Sequence, residues 1–272
     1  MSPGTLSSRY RTAFVTGAST GLGLAFTEML LAGGVEVWGT ARDAARLPAR
    51  DRFHAVALEL ADGAAAEKAY LGAERTAGGF DVVINNAGFG AFGAFAYTDF
   101  AVWENQFQVM LVNTARLSQV ALRGMLGRNR GALVNISSIA GEFGMPYQAV
   151  YNSIKAGLSA LNESLMYEVK GTGVIVIDFR PGDYRTDFEG SVRRPPGAAG
   201  PGQEQAWAAF TTMMQSGPAP AGAAADLHDA LLRGRSGTVR SGRFFQAVVA
   251  PFLARFGSLK LKRRIQEKYF GL

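Results

Sequence analysis

The chain has 272 residues, 48% of them hydrophobic and 18% charged, and a formal net charge of +6. That balance describes a folded chain with a sizeable core and excludes a disordered one. With no cysteine and only His54 and His228, disulfides, thiolate metal sites and cysteine nucleophiles are excluded, and a His-rich metal site lacks ligands.

The first 180 residues alternate between short apolar runs and helical patterns. AFVTG (13–17) is an apolar run ending in glycine, and LGLAFTEMLLA (22–32) has a helical apolar face. VEVWGTA (35–41) reads as a second strand. FHAVALEL (53–60) is a third, with Asp62 as the N-cap of the next helix. FDVVINNAG (80–88) is a fourth, followed by a long helical stretch over 98–126. GALVNISS (131–138) is a fifth strand, 151–169 is helical, and GVIVIDFRPG (173–182) is a sixth strand. Short apolar strands separated by helices predict a parallel sheet buried on both faces. Right-handed crossovers then give a doubly wound α/β (Rossmann) fold. Residues 1–272 read as one domain without internal repeats.

After Gly182 the texture changes. Residues 190–202 are rich in Pro and Gly, 203–215 form a short amphipathic helix, SGPAPAG (216–222) breaks it, and 225–234 form another helix. The expectation is a substrate-binding flap over 187–225. Its Trp207, Phe210, Met213 and Met214 either cover an apolar ligand or pack on the core. Phe89, Phe92 and Phe95 pose the same choice. Residues 252–272 mix apolar and basic side chains, with Lys260, Lys262, Arg263, Arg264 and Lys268 close together. The preferred reading is a terminal helix packed on the domain or on a neighbouring subunit. Contact with a membrane surface is the weighed alternative. No recognised motif accompanies the charge, so nucleic acid is not an expected partner. No apolar run reaches ~18 residues, and MSPGTLSSRYR lacks an apolar signal core. A soluble, cytoplasmic protein is expected.

The first strand leads into TGASTGLG (16–23). Glycines there allow a tight turn and close backbone approach, and the helix that opens points its N–H groups at an anion. The second strand ends in Ala41 and Arg42 rather than in a carboxylate, which favours the 2′-phosphate of NADP over the free ribose hydroxyls of NAD. A tyrosine and a lysine stand four apart in YNSIK (151–155), on one helical face.

TGASTGLG (16–23), NNAG (85–88), Asn113, NISS (135–138), YNSIK (151–155) and RPGDYRT (180–186) stand in one order along the chain. In that arrangement the chain resembles a single-domain short-chain dehydrogenase/reductase. The resemblance covers 10–190 clearly and the remainder loosely. It implies Tyr151 as general acid or base, Lys155 as the charge that favours its phenolate, and Ser138 as hydrogen-bond donor to the substrate oxygen. It also implies that Asn113 kinks its helix and holds a relay water. Gly17, Ser19, Thr20, Gly21, Leu22 and Gly23 would cradle the cofactor phosphates. Glu59 and Leu60 would meet the adenine, Asn86, Ala87 and Gly88 would line the cleft, and Pro181, Gly182 and Thr186 would hold the nicotinamide beside Tyr151 and Lys155. Ile154, Glu59 and Asp183 depart from the family pattern.

The expected protein is an NADP(H)-dependent reductase of an apolar or aromatic ketone or aldehyde, assembled as a homodimer or homotetramer. A non-catalytic NADP-binding sensor and a membrane-surface lipid or steroid dehydrogenase are the alternatives.

Overall fold

The computed structural model describes residues 5–186, 188–195 and 200–272. Among them, seven parallel strands form one sheet in the order β3-β2-β1-β4-β5-β6-β7. The strands are β1 Thr12–Val15, β2 Glu36–Ala41, β3 Phe53–Ala57, β4 Val82–Asn85, β5 Gly131–Ile136, β6 Val174–Pro181 and β7 Gly237–Ser241. Every residue of β1, β4 and β5 is buried, which is why these central segments read as continuous apolar runs. The edge strand β7, GTVRS, alternates between half-buried and exposed positions up to Arg240 and ends in the buried Ser241. It pairs with β6 from Ile177↔Gly237 to Pro181↔Ser241. The sequence reading missed β7 because its five residues carry one large apolar side chain.

Helices cover both faces. They are α1 Gly21–Ala32, α2 Gly63–Ala77, α3 Phe100–Phe107, α4 Asn113–Gly127, α5 Ala149–Glu168, α6 Phe188–Ser191, α7 Gln203–Ser216, α8 Ala221–Arg233, α9 Ala250–Phe256 and α10 Leu259–Phe270. The Asp62 carboxylate caps α2 by accepting from the Ala65 amide at 2.9 Å. On one face of the sheet Phe14 meets Tyr70 edge-on, with centroids 5.0 Å apart. On the other face Phe26 meets Phe179 in the same way at 5.6 Å. The helical stretch expected over 98–126 is interrupted by a π turn, Gln108–Val112, immediately before Asn113. One extra residue per turn bends the helical run at that point.

Beyond β6 the chain crosses the ends of β4–β6. Arg193 pairs with the loop after β4: Phe92 N–H donates to Arg193 O, and Arg193 N–H to Gly90 O, each at 2.9 Å. A separate apolar cluster forms there from Phe92, Ala206, Phe210, Met214 and Phe270, with Tyr147 and Trp207 against it. The helices expected at 203–215 and 225–234 are α7 and α8. Positions 187 and 196–199 of the expected flap lie outside the described residues.

Candidate active site

The carboxyl ends of β1, β2, β4, β5 and β6 open on one cavity of about 920 Å³. In an open α/β sheet this is where ligands bind. Its nucleotide end is built by the loop between β1 and α1. Gly17 and Gly21 take left-handed φ of +69° and +58°, which a side chain would strain. A Cβ on Gly23 would stand 2.0 Å from Gly17 O and 2.5 Å from Asn86 Nδ2, so the loop packs directly on this glycine. Thr16 Oγ1 accepts the amides of Asn86 and Ala87 at 2.9 and 3.0 Å, and Asn86 Nδ2 donates to Thr16 O at 3.0 Å. These bonds fix the loop against the end of β4. Thr20, the N-cap of α1, makes no side-chain cap bond, so no cap side chain engages the first amides of the helix. That arrangement suits a phosphate.

Ser19, Thr20, Gly21 and Leu22 line this end with Gly17, and Thr186 lies over it: a Cβ on Gly21 would meet Thr186 Cβ at 3.4 Å. Arg42 faces the cavity from the end of β2. So does Arg46, which the sequence reading missed. It ends a 3-10 turn whose first amides are capped by Asp43, and this turn carries a second guanidinium to the same edge. Glu59 also lines the cavity, but its Oε1 turns back to accept from the Ala61 amide at 3.0 Å. Leu60, Ala87, Gly88, Pro181 and Gly182 complete the wall where the resemblance put them. A nicotinamide dinucleotide fits these features: a Cβ-free turn at a helix start, an adjacent pair of guanidinium groups, and a long cleft.

At the other end Ser138, Tyr151 and Lys155 face the same space. Ser138 follows β5 and caps a short turn, its Oγ accepting from the Ala140 amide at 3.0 Å. Tyr151 and Ser138 share a side-chain hydrogen bond. Lys155 lies one turn along α5, its Nζ donating to Ile136 O at 2.7 Å and standing 5.5 Å from the Tyr151 ring centroid. Asn152, between them in sequence, was overlooked. Its Nδ2 donates to Ala140 O at 2.6 Å and to Phe143 O at 2.7 Å, tying the Ser138 loop to α5. Ile154 is fully buried in the core beside Val150 and Leu158, away from the cavity. An apolar residue there is therefore a packing choice.

Burial pushes the Tyr151 phenol up to about 12, with the Asp183 carboxylate adding to the rise and Ser138 opposing it. Burial pulls the Lys155 ammonium down to about 8, against the attraction of Asp178. The sequence reading expected Lys155, together with the charge of an oxidised nicotinamide, to lower the tyrosine; among the protein's own groups burial has the largest effect on it. Asp178 belongs to a buried polar chain below the site. Asn85 donates to Asn135 at 2.8 Å, Asn135 to Asn162 at 2.6 Å, and Asn162 to Asp178 at 3.0 Å. Ser137 and Arg180 also donate to Asp178, at 2.5 and 2.7 Å.

Asn113 is fully buried and lies outside the cavity wall. Its Nδ2 donates to Leu60 O at 2.6 Å, and its Oδ1 accepts from Gln108 at 3.1 Å. The aromatic expectations divide. Phe89 faces the cavity, Phe92 is fully buried against Trp207 with centroids 5.1 Å apart, and Phe95 is 56% exposed. Of the flap residues, Phe210, Met213 and Met214 face the cavity, whereas Trp207 covers Phe92. The C-terminal helices supply a wall that sequence patterns did not place there, including Leu253, Ile265, Tyr269 and Phe270. Gln148, three residues before Tyr151, faces the cavity, and its Nε2 lacks a hydrogen-bond partner among the described residues.

A parallel sheet with a phosphate-type turn after its first strand, a Ser after its fifth and a Tyr and Lys on the helix that follows defines an oxidoreductase of the nicotinamide-dependent class. Comparison with known proteins makes the class specific. Residues 11–197 match the family model described as short chain dehydrogenase, and the chain belongs to that family. It is 32% identical over 183 residues to the 3-oxoacyl-[acyl-carrier-protein] reductase FabG of Vibrio cholerae, covering 65% of this chain and 75% of that one. A short-chain dehydrogenase from Streptomyces avermitilis superposes with a TM-score of 0.82 at 30% identity, covering 95% of this chain and 96% of the other. A short chain dehydrogenase/reductase from Burkholderia phymatum, solved in complex with NAD, superposes with the same TM-score of 0.82 at 22% identity, over 94% and 95% of the two chains. At that identity the likeness concerns the fold.

Proposed function

We propose that the chain is an NADP(H)-dependent carbonyl reductase or alcohol dehydrogenase acting on an apolar or aromatic ketone or aldehyde. The observation that carries the reading is the hydrogen-bonded Ser138–Tyr151 pair with Lys155 one helical turn away, all facing the cavity.

Ser138 and Tyr151 hydroxyls hold the substrate oxygen. A nicotinamide, when bound, supplies the hydride for the carbonyl carbon. Tyr151 then gives its proton to the oxygen that has gained the electron pair, and the Lys155 ammonium steadies the phenolate left behind. Asn113, bonded to Leu60 and Gln108, would position α4 and the relay beside Lys155. Gly17, Gly21, Gly23 and the start of α1 would hold the phosphates. Arg42 and Arg46 together support a 2′-phosphate, so the choice of NADP rests on this chain's own residues. Phe89, Phe210, Met213 and Met214 support an apolar substrate, and Gln148 Nε2 offers it one polar contact.

We further read the chain as one domain with 187–225 as its flap. It would assemble as a homodimer or homotetramer through α4, with the π turn before it, and α5, where Val112, Leu126 and Tyr167 are exposed. Retention of Ser138, Tyr151 and Lys155 together speaks against a non-catalytic sensor.

The test follows nicotinamide absorbance with NADPH and a panel of ketones, aldehydes and polyols. Apolar carbonyls should react, and Tyr151→Phe should abolish turnover while NADPH affinity stays within about twofold, since the lost hydroxyl acts on substrate. Turnover retained by Tyr151→Phe, or reaction with polyols alone, overturns the reading.

A further inference from the structure

We propose that the C-terminal arm, residues 243–272, docks on an anionic lipid bilayer surface. The charge of the chain is concentrated there. Residues 243–272 contain seven of the 28 Lys and Arg and one of the 22 Asp and Glu, which leaves the other 21 of each sign in balance. The whole net charge of +6 therefore resides on one arm. Arg255, Lys260, Lys262, Arg263, Arg264 and Lys268 form no salt bridge with a carboxylate among the described residues.

The same arm carries unusually exposed apolar side chains. Phe244 is 73% exposed, Phe252 62%, Phe256 69% and Leu259 68%. Phe252 and Phe256 lie one turn apart on α9, with ring centroids 5.0 Å apart, and form a single outward ridge. The inner side of the arm is occupied: Leu253, Lys262, Ile265 and Phe270 face the cavity, which leaves Arg255, Lys260, Arg263, Arg264 and Lys268 as exposed cations. The outer face therefore combines aromatic side chains with cations, the composition of a helix that lies in a bilayer interface. Among the described residues no helix is long and apolar enough to cross a membrane, so the arm would lie on the surface rather than span it.

Charge selects this occupant over a second copy of the chain. Direct pairing of two arms would set one charge of +6 against another, and the rest of the chain, with 21 charges of each sign, offers the arm no net opposite charge. Anionic headgroups neutralise it and accept the Phe and Leu side chains at the same time. The inference does not depend on the redox reading, because binding is measured without turnover.

The experiment is flotation of the full chain with vesicles of phosphatidylcholine alone and with added phosphatidylserine, at low and high salt. The chain should float with the anionic vesicles, and less so at high salt. It should stay in the dense fractions with phosphatidylcholine alone. Lys260→Glu/Arg263→Glu/Arg264→Glu should lower partitioning on the order of 100-fold. Phe252→Ser/Phe256→Ser should weaken it on anionic vesicles. Unchanged circular dichroism and NADPH binding would show that both variants are folded. The proposal is overturned if the chain ignores anionic vesicles, or if the charge-reversed variant floats equally. It is also overturned if sedimentation shows a self-associated species, dispersed by the Phe substitutions, that does not float.

Discussion

Asp183 and Tyr269 are 86 residues apart in sequence, yet the Tyr269 hydroxyl donates to the Asp183 carboxylate at 3.2 Å. Gln246 Nε2 donates to the same carboxylate oxygen. Two side chains of the C-terminal region thus hold the carboxylate that follows the Pro181-Gly182 turn. Burial raises the Asp183 carboxyl above its ordinary range, with these hydrogen bonds and Arg243 opposing the rise. When ionised, it raises Tyr151 in turn.

Asp183→Asn should therefore bring the Tyr151 phenol down from about 12. Alcohol oxidation needs the phenolate, so its alkaline rise should begin at lower pH in the variant. Carbonyl reduction needs the phenol, so its alkaline decline should also begin at lower pH. Both limbs are read from kcat against pH; a profile that does not move, in a variant with normal circular dichroism, contradicts the coupling.

Arg42 and Arg46 face the same edge of the cavity. Charge-assisted bonds to a 2′-phosphate from either one predict that Arg42→Ala weakens NADPH binding by about 10- to 100-fold. NADH affinity should change little. Arg42→Ala/Arg46→Ala should bring the two cofactors to near equality in a fluorescence titration.

Gly23→Ala adds one methyl group where backbone and amide atoms already stand 2.0 and 2.5 Å away. The neighbour at 2.0 Å is a main-chain oxygen, which has no rotamer to escape into. The variant should lose most affinity for either cofactor and about 1–3 kcal/mol of stability by overpacking. Equilibrium dialysis and urea unfolding read the two effects separately.

Asp178→Asn removes the negative charge that opposes the depression of Lys155. The ammonium should then fall further below about 8, and turnover should fail at lower alkaline pH than in the parent. Arg180, also bonded to Glu142 at 2.6 Å, would keep one of its two carboxylates. Stability should fall by about 3 kcal/mol in urea unfolding, because a buried charged partner is lost.

Six of the seven strands, their parallel sense and the glycine turn after β1 were legible in the sequence because each depends on local pattern. Continuous apolar runs mark β1, β4 and β5, and glycines mark the turn at residue 17. Contacts between distant segments were not legible. Gln246 and Tyr269 reach Asp183 through the path of the chain after β7, which no periodicity encodes. Arg46 was missed because nothing in its sequence setting shows that a 3-10 turn returns it to the cavity. Phe92 and Phe95 stand three apart in one loop, yet one is fully buried and the other is 56% exposed. Composition alone treats them alike.

The two ends of the cavity are walled by separate lengths of chain, with the stretch from β5 to α5 between them. Its nucleotide end comes mostly from turns that follow β1, β2 and β4, whereas its far wall comes largely from helices that follow β6. Thr186, which follows β6, lies over Gly21 and so joins the two. Substitutions after residue 200 can therefore reshape what the protein accepts while leaving the cofactor grip intact. In such a layout new specificity can arise by drift in one segment, and the shared chemistry stays fixed in the other.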